Sequence, residues 1–134
     1  MPGPAAPVPP TRTGRGTRWR PPRLGLAVVS GESMLPTLRP SDRLLVVHRR
    51  AGAPHPRAGG IVVARFVDGT LTVKRCVEPR QTSSGRSGWW LLSDNPERGV
   101  DSRHRGPVAD DAVLALVVGR LWPRPRVRLA RTVL

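Results

Sequence analysis

Tyrosine is absent from this chain, phenylalanine, cysteine and lysine occur once each, and no apolar run is long. Each shortage excludes something. The lone Cys76 cannot build an internal disulfide framework and fits a reducing compartment. With three scattered histidines, His48, His55 and His104, it makes no ligand set, so neither a metal nor another cofactor is expected. The longest apolar candidate, the six residues from Leu24 to Val29, is too short for a secretory leader or a membrane span. Sixteen prolines and fourteen glycines argue against long helices and favour short strands joined by turns.

Charge is plentiful but uneven. The net charge of +14 sits at the ends: residues 1–23 hold five arginines and residues 120–134 another five, with no acid in either. The stretch between them has 13 basic and 9 acidic residues. We therefore divide the chain into a disordered Arg/Pro-rich tail (1–23), one folded domain (24–119) and a basic C-terminal tail (120–134). Tails of this kind would bind phosphate without sequence preference, on nucleic acid or on an anionic membrane. No motif for specific nucleic-acid binding is present, and the aromatics are not interleaved with the arginines as a stacking platform requires.

Within the domain, strands are expected at 24–29, 44–47, 61–66, 71–77, 89–92 and 113–118. Asp68-Gly69 is a hairpin turn, and 49–60 and 80–88 are polar loops. This pattern predicts an all-β domain, a small antiparallel folded sheet or barrel. Trp89 and Trp90 would face opposite ways, one into the core and the other onto a substrate cleft or a lipid surface.

Lys74 stands out because every other basic residue is arginine. Arginine keeps its charge at any reachable pH, whereas a buried lysine can lose its proton and act as a base. Its setting, Leu71-Thr72-Val73-Lys74-Arg75-Cys76-Val77, reads as a strand, and Cys76, two residues on, shares its face as a small core residue lining the same pocket. Ser33 follows an apolar entry and a glycine turn in Val28-Val29-Ser30-Gly31-Glu32-Ser33-Met34-Leu35-Pro36, a junction that would hold a side chain at a fixed angle. A serine hydroxyl needs a neighbouring base to become a nucleophile, and no histidine has the setting of a buried one.

Ser33-Met34-Leu35-Pro36-Thr37-Leu38 resembles the nucleophile motif of the signal-peptidase superfamily of Ser/Lys proteases. Ser41-Asp42 with the apolar residues after it, Val73-Lys74-Arg75, and Ser93-Asp94-Asn95 with Asp101-Ser102-Arg103 and Gly106-Pro107-Val108 resemble its remaining blocks, in order, across residues 28–108. The resemblance implies a mainly β fold, Ser33 as nucleophile and Lys74 as general base. It further implies oxyanion and substrate contacts at Ser33, Met34 and Leu35, and structural support from Asp94, Asn95, Asp101 and Arg103. Three departures stand out. Ser93 replaces a usual glycine, Gly99 stands where many members have a serine bonded to the lysine, and Gly31 stands where some have a serine in the oxyanion hole.

The expected function is that of a serine endopeptidase removing a short N-terminal leader from a precursor protein. Within the superfamily the short form with basic ends resembles the nickel-type superoxide dismutase maturation proteases, which implies that dismutase's precursor as substrate and a cytoplasmic location. The alternative is signal peptidase I-like processing of exported precursors, with the tails held peripherally at the cytoplasmic membrane. Self-cleaving repressors share the Ser/Lys pair but place an Ala-Gly or Cys-Gly site upstream of the serine. Here Ala51-Gly52 and Ala58-Gly59 lie downstream.

Overall fold

The computed structural model describes residues 23–49, 55–127 and 129. Apart from Arg23, the N-terminal tail lies outside the described residues, as do positions 128 and 130–134 of the C-terminal one. Seven strands form one antiparallel sheet: β1 (Leu24–Val28), β2 (Arg43–His48), β3 (Ile61–Arg65), β4 (Leu71–Gln81), β5 (Ser87–Leu92), β6 (Val108–Ala109) and β7 (Val113–Trp122), in the order β1-β2-β7-β3-β4-β5-β6. The domain is all-β, as its short apolar runs and turn residues require. A single turn of helix, α1 (Ser102–Arg105), and a 3-10 turn (Asp110–Ala112) are the helical pieces among the described residues. No helix among the described residues is long and apolar enough to cross a membrane.

β3 explains why the sheet is buried on both faces. Its run Ile61-Val62-Val63-Ala64 sends Ile61 into one core, with Val29, Met34, Leu38, Leu44, Val46 and Ala115. Val62 and Ala64 enter a second core, with Phe66, Cys76, Leu91, Val108 and Val113. Consecutive strand residues face opposite ways, so a continuous apolar run serves two packed faces. The Asp68-Gly69 hairpin forms as its residues suggest: Gly69 adopts φ +90° and the Phe66 amide donates to the Thr70 carbonyl.

Three boundaries differ from the sequence expectation. β4 runs on through Pro79 to Gln81, because Glu78 to Gln81 pair with Trp90 to Ser87, so the expected loop at 80–88 shrinks to a turn. β7 extends through Arg120 to Trp122, so the boundary set at 119 falls inside a strand. Arg120 is opposite Leu44 and its guanidinium reaches the Thr37 carbonyl and Asp42. Residues 102–105, where neither a strand nor a helix is expected, form α1, with Asp101 as its N-cap.

Candidate active site

Ser33 lies in the connection from β1 to β2, residues 29–42. The connection closes on itself: the Val29 amide donates to the Asp42 carbonyl and the Ser41 amide to the Val29 carbonyl. Met34 and Leu38, both essentially fully buried, plug this turn into the first core, and the Leu38 amide donates to the Met34 carbonyl. Gly31, at φ +78°, supplies the left-handed step that lifts Ser33 off the end of β1. The Ser33 hydroxyl is thus fixed by two anchors behind it.

Lys74 comes from β4, opposite Val62 of β3, and is only 3% exposed. Its Nζ lies 3.0 Å from Ser33 Oγ and 2.8 Å from Thr72 Oγ1. Burial pushes the Lys74 pKa below its ordinary value, and the charge of Asp101 partly opposes this. Thr72 was not singled out from the sequence. Its position two residues before Lys74, hence on the same strand face, was the available signal.

Two cavities meet at Ser33. One, of about 480 Å³, is walled by Leu26, Val28, Met34, Val63, Leu71 and Val73. The other, of about 430 Å³, contains Glu32, Thr72, Lys74, Arg98, Gly99 and Arg105. Met34 lines the first cavity while filling the core; Leu35, half-buried in its turn, lines neither. Ser30 borders both. A backbone amide at a developing oxyanion is a strong stabiliser, and the Ser33 amide donates to no acceptor among the described residues.

Residues 11–112 match the Peptidase S24-like family, most of the chain. The chain belongs to that family. It is also similar to the mitochondrial inner membrane protease subunit 1 of Schizosaccharomyces pombe, 27% identical over 121 residues that cover 73% of each protein. Both likenesses make it a peptidase of the signal-peptidase type.

In this S24-like peptidase the remaining site residues form a brace. Asp94 accepts from Thr37 Oγ1 at 2.6 Å and from Arg75 through both of its oxygens, at 3.1 and 2.6 Å. One buried carboxylate therefore ties the Ser33 turn to the Lys74 strand. Arg75 also donates to the carbonyls of Gly59 and Leu129. Asn95 secures the turn from the other side, its amide donating to the Ser33 carbonyl and its side chain to the Glu32 carbonyl.

Asp101 is fully buried, and burial alone would raise its pKa. The Arg103 side chain, the amides of Ser93 and Arg103 and the Arg103 charge outweigh that and hold it at about 2. The Arg103 side chain donates to both Asp101 oxygens, at 3.0 and 3.1 Å, across the N-cap of α1.

Gly99 adopts φ +83°, and a Cβ there would fall 2.6 Å from the Ser33 Cβ. No side chain fits, and Thr72 is the residue bonded to the lysine. Cys76 corrects one expectation. It is fully buried in the second core and borders neither cavity, and burial lifts its thiol to about 11. The tryptophans divide by face as expected. Trp89 packs on the second core and donates to Asp110, while Trp90 lies outside under the Arg80 guanidinium, 4.0 Å away, and lines neither cavity at Ser33.

Proposed function

We propose that the chain is a serine endopeptidase in which Ser33 is the nucleophile and Lys74 the general base. The observation that carries this reading is the 3.0 Å contact between Ser33 Oγ and the amine of a buried lysine. Burial lowers the Lys74 pKa and so favours the neutral amine, and donation from its N–H to Thr72 Oγ1 leaves the lone pair to the serine. Lys74 takes the Ser33 proton as Oγ bonds to the substrate carbonyl carbon, and the oxyanion meets the Ser33 amide. The tetrahedral adduct collapses as the Lys74 ammonium delivers that proton to the leaving nitrogen. Water then attacks the Ser33 ester, Lys74 again removing the proton, and Ser33 Oγ leaves with it.

Lys74 must reach the leaving nitrogen, so the cavity it borders takes the new N-terminal side of the substrate. The apolar cavity takes the residues before the cut. With apolar walls on that side, the motif resemblance points to cleavage after alanine with another small or β-branched residue two positions earlier. An extended substrate would lie along the edge of β1, which has no outer neighbour among the described residues.

For the substrate we propose a precursor with a short N-terminal leader, the nickel-type superoxide dismutase precursor, on the motif resemblance described above. The likeness to an inner membrane protease subunit favours a second reading, processing of exported precursors at a membrane. Incubating the purified protein with each precursor and determining the new N-terminus by mass spectrometry tests both. Processing of the dismutase precursor alone supports the first reading. Processing of secretory precursors alone moves the assignment to the second. Cleavage of neither by a folded protein overturns the leader-removal reading.

A further inference from the structure

Ser93 Oγ is the one buried side-chain oxygen or nitrogen among the described residues with no hydrogen-bond partner. Its buried neighbours show what a structural hydroxyl does here: Ser102 Oγ accepts from the Leu91 amide and Thr37 Oγ1 donates to Asp94. A buried hydroxyl left unpaired is destabilising, so its retention calls for a moment at which it is paired.

Its position suggests when. The β4–β5 ladder ends with Arg75 opposite Leu92, and Lys74 and Ser93 are the next residue on each chain. Residues that continue such a ladder are neighbours on one face of the sheet. The Ser93 amide is held by Asp101 at 2.9 Å. The notch at Gly99 brings the two serines together: a Cβ there would fall 3.4 Å from Ser93 Oγ and 3.5 Å from Ser33 Oγ.

We propose that Ser93 is a positioning residue for Lys74, its hydroxyl accepting a hydrogen bond from the ammonium that forms when Lys74 takes the Ser33 proton. This rests on the Ser33/Lys74 reading above. The neutral amine has two N–H bonds and one lone pair; Thr72 takes one N–H and Ser33 the lone pair. The ammonium has three N–H bonds, and in the ester intermediate Ser33 Oγ becomes a poor acceptor. A buried ammonium without acceptors is strongly disfavoured. The other groups facing it are already engaged or distant. Asp101 is saturated by Ser93, Arg103 and the α1 cap, Val62 across β3 is apolar, and Glu32, Arg98 and Arg105 lie at the cavity walls.

Because Lys74 is the one lysine, protein labelled with lysine-[13Cε] gives a single side-chain NMR signal that titrates without any substrate. Ser93→Ala should lower the Lys74 midpoint by about one pH unit, since the charged form loses an acceptor. Ser93→Thr, which keeps the hydroxyl, should restore it to within a few tenths of a unit. Ser93→Gly repeats the test if alanine disturbs the fold. An unmoved midpoint in a folded hydroxyl-free variant overturns the proposal. A shifted midpoint in a protein that cleaves no peptide would instead leave Ser93 as a partner of Lys74 and remove the protease reading.

Discussion

The two cavities that meet at Ser33 are of similar size and opposite chemistry. The one on the β1 side is walled mainly by aliphatic side chains from five strands and the Ser33 turn. The one on the Lys74 side carries hydroxyls, a carboxylate and three basic residues. An apolar wall can select by shape and keep water from the acyl group, while proton transfer needs polar partners within hydrogen-bond reach. Ser30, Ser33 and Thr72 line both, and the remaining walls differ. Selection and chemistry are therefore separable here: variants on one side should change which peptide is cut, and variants on the other how fast any peptide is cut.

The chemical side should give the largest effects. Ser33→Ala removes the proposed nucleophile and should lower kcat by a factor of about 10³ or more, with thermal unfolding unchanged. Lys74→Arg should be as damaging as Lys74→Ala, because arginine keeps the charge and cannot accept the proton. Thr72→Val, which keeps the shape and removes the hydroxyl, should lower kcat by about tenfold to a hundredfold for every peptide alike. Near-normal turnover in Lys74→Arg would mean that another group is the base.

The apolar side should respond differently. Val63 is half-buried on the cavity wall, opposite Val73 of the neighbouring strand. Val63→Phe should reduce kcat/KM for a peptide with alanine before the cut by about tenfold, and less for one with glycine, as expected for a few methylenes of lost space. Its pH–rate profile should match that of the unaltered protein. A uniform loss across peptides, with a displaced profile, would show that the two cavities are not independent.

How much of this was legible in the sequence depended on whether a residue's chemistry was unusual. A single lysine in a β-branched run and a serine beside a glycine turn announce themselves, and the structure brings the two together. The brace does not. Arg75 is one arginine among many, and its partner Asp94 is on another strand's exit, so neither residue identifies the other. A signal did exist: Lys74 and Arg75 are adjacent and so face opposite sides of a strand whose flanks are apolar, which means both cannot be solvated. The reach of β7 was hidden for a different reason. Gly119 looks like a strand terminator, yet it is needed inside the strand, because a Cβ there would fall 2.6 Å from the Arg126 carbonyl where the chain folds back. Pairing between distant segments decides such boundaries, and local propensity carries no trace of it.

The smallest predicted effect is also the one that asks what the contrast between the cavities costs the fold. Lys74 is buried, its pKa is lowered chiefly by that burial, and Asp101 offsets only part of the penalty without touching it. In the unfolded chain the same lysine titrates near its free value of about 10.4. Between the lowered folded value and about 10.4, the unfolded state binds a proton that the folded state does not, so stability rises with pH across that window. Below the folded value the penalty is at its full size; above about pH 10.4 it vanishes. Lys74→Met, similar in length and without charge, should therefore raise Tm, by roughly 4 °C at about pH 6, and by less at about pH 9.5. Activity should be lost in the same variant, which makes the site a case of stability given up for a reactive amine. If Lys74→Met were less stable at both pH values, packing around the lysine stem would outweigh the burial of its charge. If it gained equally at both, the source would be hydrophobic packing and the ammonium would not be the strained group.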